Sequence, residues 1–91
     1  MVRVVSTKYV KEENLQEFLA VANQMIEHAL SEKGCISYQM KKEKTDEDRW
    51  AFLEEWEDED RLNSHLKTDF LKEHAEKLNA LTYKKGDLLI F

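Results

Sequence analysis

Apolar positions along the chain alternate between a repeat of two and a repeat near 3.6, and the switches mark out its elements. Val2 to Val10 (VRVVSTKYV) is β-branched and aromatic, with Val2, Val4 and Ser6 on one side and Arg3, Val5, Thr7 and Tyr9 on the other, which predicts a first strand. Past the polar break Lys11 to Glu13, the residues Leu15, Phe18, Leu19, Ala22, Met25, Ile26, Ala29 and Leu30 recur at helical spacing as one apolar face. Asn14, with Glu17 three residues on, is a capping-box candidate for the start of this helix. Gly34 is the candidate for its end, since a residue without Cβ enters the left-handed conformation cheaply.

A return to alternation follows. Cys35 to Lys42 sets Ile36, Tyr38 and Met40 against Cys35, Ser37 and Gln39, a second strand, and the hydrophilic Glu43 to Asp48 reads as a hairpin connection. Arg49 to Glu57 is a third strand, with Trp50, Phe52, Glu54 and Trp56 on one face and Ala51, Leu53 and Glu55 on the other. Both faces read as partly buried, the pattern of a central strand. Asp58, Glu59 and Asp60 suit the positive end of a helix dipole and open a short helix carrying Leu62, His65 and Leu66. Thr68 caps a second helical segment in which Phe70, Leu71, Ala75 and Leu78 keep helical spacing, with His74 among them. Leu81 to Gly86 leads out, and Asp87 to Phe91 is a short final strand.

The order β-α-β-β-α(broken)-β predicts an α+β, ferredoxin-like split βαβ fold, an antiparallel sheet with its helices on one face. The other face then needs a cover, and a second copy of the same sheet is the economical one. The expected assembly is a homodimer, a dimeric α/β barrel whose facing sheets enclose a pocket per subunit.

Composition narrows the class. A chain of 91 residues is expected to form one domain over 1–91, and its small core gains from an obligate partner. With 36% charged residues and a net charge of −5, it reads as a solvated globular protein with no phosphate-tracking surface, so nucleic acid is not an expected partner. No apolar run approaches the roughly 18 residues of a membrane span, so no membrane is expected and the default location is the cytoplasm. Cys35 has no partner in the chain, which excludes a disulfide scaffold. Gly34 and Gly86 are too few for a dinucleotide fingerprint, and His28, His65 and His74 form no recognisable metal motif.

Three segments carry a family resemblance: Glu32-Lys33-Gly34-Cys35 with Tyr38, Phe52-Leu53-Glu54-Glu55-Trp56 with Asp58, and His65-Leu66-Lys67-Thr68 leading into Phe70. Across essentially the whole chain they resemble the antibiotic biosynthesis monooxygenase (ABM) domain family, small dimeric α/β-barrel proteins that include quinol and anthrone monooxygenases. The resemblance implies oxidation of a small quinol, anthrone or polycyclic phenol by molecular oxygen with no flavin, haem or metal. A deprotonated phenol can itself donate an electron to oxygen, so the protein need only remove a proton and hold the anion in a dry pocket. The chain departs from the common pattern at Asp69, where many members place a histidine.

His65 is the first candidate for proton transfer, because its ordinary pKa lies near neutrality and Leu62 and Leu66 flank it; a structural histidine bonded to backbone is the alternative. Glu54, between Phe52 and Trp56, is either paired with Arg49, Arg3 or a lysine of a second copy, or raised in pKa and usable as a base. Trp56, Trp50, Tyr38 and His74 are candidate substrate contacts, against the alternative that they fill a core or interface. His28 reads as solvated, and Cys35 as a small buried hydrophobe. Other readings of the resemblance are haem binding and degradation with His74 in the ligand region, isomerisation of a phosphorylated signal molecule, and a non-catalytic dimeric binding or stress-response module. No phosphate-binding cluster is visible near the candidate pocket residues, and His65 stands where the haem-degrading relatives carry a tryptophan.

Overall fold

A computed structural model describes residues 1–91. Strand β1 (Val2–Val10) leads to helix α1 (Glu12–Ser31), then β2 (Cys35–Lys42) and β3 (Arg49–Trp56), helices α2 (Glu59–Leu66) and α3 (Asp69–Ala80), and the short strands β4 (Thr82–Lys84) and β5 (Leu88–Ile90). All pairings are antiparallel, in the order β2-β3-β1, and β4 and β5 share the free edge of β1: β4 pairs at Tyr9 and Val10, β5 at Val4 to Ser6. This is the α+β, ferredoxin-like arrangement expected from the sequence. No helix is long and apolar enough to cross a membrane.

Helix α1 starts earlier than the capping box predicts. Lys11 is its N-cap and makes no side-chain cap, while Glu12 and Glu13 put negative charge in the first turn, where the helix dipole favours it. Asn14 lies inside the helix, and its amide donates to the Leu81 carbonyl at 3.5 Å, tying α1 to the exit of α3. The helix ends at Ser31, with Glu32 already extended and Gly34 two residues further on at φ +92°. A Cβ there would also meet Cγ of Arg61 at 2.3 Å, so both conformation and packing require the glycine. Asp58 and Thr68 cap α2 and α3 by accepting from the backbone N–H of Arg61 (2.9 Å) and Leu71 (3.2 Å).

Phe18, Ala22, Met25 and Ala29 of α1 are buried against one face of the sheet, although Leu30, counted in the apolar stripe, is exposed. That face carries Val2 and Val4, the cross-strand partners Glu54 and Trp56, and Tyr38 beyond them. Leu62 and Leu78 close the core from α2 and α3. In β2 the register slips between Cys35 and Ser37, which leaves Ile36 unpaired and half exposed while Tyr38 stays inward.

The opposite face of the sheet is uncovered within one chain. Leu53, expected to be partly buried, is 38% exposed, and Leu89 and Phe91 are more exposed still. A further departure is at the C-terminal end, where Thr82–Lys84 forms a strand the sequence did not announce.

Candidate active site

Between the sheet and the helices lies a cavity of about 230 Å³. Its location corrects an expectation: the pocket is roofed by α2 and α3 of the same chain rather than enclosed between facing sheets. Its walls are apolar, with Val4, Phe52, Leu62, Leu71 and Leu78 prominent, and Leu88 and Ile90 of β5 stand exposed at its rim. Into this lining project the polar groups Tyr38, Glu54 and His65.

Alternation along β3 puts Glu54 on the inward face, in register with Val4 on one side and Tyr38 on the other. The two expected ion-pair partners within the chain are occupied elsewhere: Arg3 bonds Glu55 at 3.0 Å and Arg49 lies 3.7 Å from Asp87. Glu54 instead accepts a hydrogen bond from Nε1 of Trp56 at 3.0 Å. Burial raises its pKa, and the opposing pull of the Trp56 hydrogen bond, the His65 charge and the Tyr38 hydroxyl does not cancel the rise. Tyr38 is driven far up, by burial first and then by the charge of Glu54, so its phenol stays protonated and can donate. Cys35 rises to about 11, again from burial and then from Glu54 and Glu32, which makes it an inert thiol.

His65 comes from the last turn of α2 and is buried, 3% exposed. Its Nδ1 stands 2.7 Å from Oε1 of Glu32, the residue that turns the chain out of α1. An ionised carboxylate only accepts, so Nδ1 carries the proton it donates and Nε2 is left as the basic nitrogen. Nε2 has no protein partner, yet no buried side-chain atom lacks one, so this nitrogen is reached from the cavity that His65 lines. Thr68 fixes the same turn by donating to the His65 carbonyl at 2.9 Å. Glu32 was visible in the sequence only as part of a segment that carries the family resemblance; its approach to His65 across 33 residues of chain is a product of the fold.

The remaining candidates lie elsewhere. Trp56 is fully buried and supports the site from behind, its ring 4.5 Å from that of His65 and 6.4 Å from that of Tyr38. Trp50 is half-buried at the far end of β3, paired with Lys8 and Lys42, outside the lining of this cavity. His74 donates from Nδ1 to the Phe70 carbonyl at 2.8 Å and stacks on the Phe70 ring, whose other neighbour at 3.8 Å is His28. His28 is therefore half-buried in a stack rather than freely solvated, and neither histidine lines the inner cavity. The residues do not fit a haem ligated by His74, because that side chain opens onto a shallow surface hollow with Gln24, Glu27 and His28.

A helix-roofed antiparallel sheet with one small apolar pocket, holding a carboxylate-oriented histidine, a raised carboxyl and a phenol, defines the class of protein. Residues 1–77 match the family model of antibiotic biosynthesis monooxygenase, and the chain belongs to that family. The uncharacterised Synechocystis protein sll1783 is 33% identical over 82 residues, covering 90% of this chain and 56% of that protein. Bacillus subtilis YcnE, which carries a provisional monooxygenase name, is 32% identical over 59 residues, 65% of this chain and 62% of its own. The chain thus spans less than two thirds of either curated relative. The crystal structure of a conserved protein from Methanosarcina mazei matches at a TM-score of 0.94 and 36% identity, over 99% of this chain and 89% of that one.

Proposed function

We propose that this protein is a cofactor-independent monooxygenase acting on a small quinol or phenol. The observation that carries the reading is His65, with Nδ1 held by Glu32 and Nε2 open to an apolar cavity beside Tyr38 and Glu54. Nε2 takes the proton of a bound ring hydroxyl, and the Tyr38 hydroxyl hydrogen-bonds the oxyanion that results, with Glu54, its pKa raised by burial, beside it. The electron-rich anion passes an electron to molecular oxygen, a small apolar molecule that the Val4, Phe52 and Leu78 walls admit. Recombination forms the carbon–oxygen bond. Loss of water then leaves one oxygen atom in the product and the other in water, a balance that needs no further reductant. A volume of about 230 Å³ lies below the ~300–1,000 Å³ of drug-sized ligand sites, so one- and two-ring quinols suit it better than three-ring anthrones.

Oxygen uptake with benzene- and naphthalene-hydroquinones tests the reading. A rate above the uncatalysed one that His65→Gln lowers about 10²-fold or more supports it; no enzyme-dependent uptake with any of them overturns it.

A homodimer is part of the proposal. Val5, Leu53, Leu89 and Phe91 stand on the sheet face opposite the helices, and a second copy of that face is a cover of matching chemistry. Light scattering at micromolar concentration is expected to give twice the chain mass, and a stable monomer would overturn the sheet-on-sheet assembly.

A further inference from the structure

The inner cavity does not end at its apolar rim. Ser6, Lys8 and Leu88 line both it and a wider, open cavity of about 570 Å³ on the side of β4, so the two spaces adjoin. The wider one also carries Lys84 and Lys85. No cluster of basic residues is visible in the sequence beside the site residues; the fold creates one by bringing the C-terminal segment back onto β1. That return depends on Gly86, where a Cβ would sit 1.8 Å from the Thr7 carbonyl oxygen, and on hydrogen bonds in both directions between Thr7 and Asp87.

Lys8 is the notable member. It lies on the inward face of β1, in line with Val4 and Ser6, and is half-buried. It forms no ion pair; its one side-chain hydrogen bond goes to the neutral Asn79 Oδ1 at 3.2 Å. Burial lowers its pKa with no carboxylate to offset it. The carboxylate in the wider cavity, Asp87, lies 3.7 Å from the Arg49 guanidinium. A partly desolvated cation with no counter-charge, set where two cavities meet, is complementary to an anion.

We infer that the ligand is an aromatic acid, its ring hydroxyl in the inner cavity at Glu54, Tyr38 and His65 and its carboxylate at the junction on Lys8, with Lys84 and Lys85 attracting it from outside. The scale agrees. Val4, the register partner of Glu54, is four residues from Lys8, roughly 13 Å along the strand, and side-chain reach from both ends shortens this toward the length of a two-ring hydroxy acid. The inference rests on the cavity being the substrate pocket, but not on the oxygen chemistry.

Anaerobic calorimetry with 6-hydroxy-2-naphthoate and the neutral 6-hydroxy-2-naphthamide separates the possibilities. The acid is expected to bind about tenfold or more tightly than the amide, with the acid-to-amide ratio falling close to one in Lys8→Gln and being kept in Lys8→Arg. Equal binding of the two compounds by the unaltered protein, or a ratio unaffected by Lys8→Gln, overturns the inference and leaves the pocket reading in place. Binding of neither compound removes the pocket reading and this inference together. A preserved acid preference without oxygen uptake removes only the monooxygenase assignment.

Discussion

Nδ1 of His65 and Oε1 of Glu32 are 2.7 Å apart, and this contact joins the C-terminal end of α1 to the last turn of α2. It decides which imidazole nitrogen faces the cavity. Glu32→Gln can present either its carbonyl or its amide to Nδ1, so the tautomer is no longer imposed. The expected result is a fall in kcat of about 10–10²-fold with KM little changed, partly restored by Glu32→Asp. A structural role alone would instead lower the melting temperature and leave the kcat of the folded fraction intact.

Glu54 supplies a prediction about pH. Its pKa is raised above the ordinary 4.5 by burial, so between that value and its folded pKa the native state binds more protons than the unfolded chain. The contribution of the protonated form is complete below pH 4.5 and is lost as pH rises through the folded pKa. Glu54→Gln keeps a neutral side chain that accepts from Trp56 at every pH. Relative to the unaltered protein, the variant is therefore expected to gain stability with rising pH, by on the order of 1 kcal/mol per unit of pKa displacement. Urea denaturation of both proteins at pH 4.5 and pH 8 measures the difference, and the subtraction removes other carboxylates such as Glu55, whose pKa the Arg3 hydrogen bond lowers. A difference independent of pH would show that Glu54 is not held protonated by its surroundings.

The helical stripe from Leu15 to Ala29, the alternation in β1 and β3, the acidic start of α2 and the cap Thr68 were all legible in the sequence, because each rests on periodicity or on neighbours a few residues apart. Glu54 and His65 were legible for a related reason: each is a polar residue placed among apolar ones by the local period. Glu32, Lys8, Lys84 and Lys85 were not, since their significance lies in contacts across long stretches of chain. Strand β4 was missed because three residues, Thr-Tyr-Lys, show no measurable period. The two tryptophans look alike in sequence, yet Trp56 is buried and Trp50 is half-exposed.

That last difference is measurable. Trp56 is 0% exposed, and Trp56→Ala removes a filled volume behind His65 together with the hydrogen bond to Glu54, so a loss of about 3–5 kcal/mol is expected. Trp50→Ala is expected to cost less than half as much and to leave oxygen uptake per folded molecule unchanged, because Trp50 does not line the cavity. Equal destabilisation by the two substitutions, or a selective loss of activity in Trp50→Ala, would contradict the placement.

Gly86 lets the C-terminal segment lie against β1, and two features of the site depend on that contact. The Thr7 hydroxyl accepts from the Asp87 N–H at 2.7 Å and the Thr7 N–H donates to the Asp87 carbonyl at 2.8 Å, which starts the pairing of β5 and places Leu88 and Ile90 at the cavity rim. A methyl group at residue 86 would collide with the Thr7 carbonyl, a backbone atom that cannot move aside without breaking this pairing. Gly86→Ala is thus expected to cost about 1–3 kcal/mol and to detach β5 before the rest of the sheet unfolds. Thr7→Val removes only the hydroxyl and is the milder form of the same change, worth about 1 kcal/mol. Amide hydrogen exchange is the decisive measurement. Faster exchange confined to Phe91 and the β5 amides in Gly86→Ala, with β3 still protected, is the expected pattern; uniform acceleration through β1 and β3 would mean that the C-terminal segment is not a separable rim but part of the cooperative core.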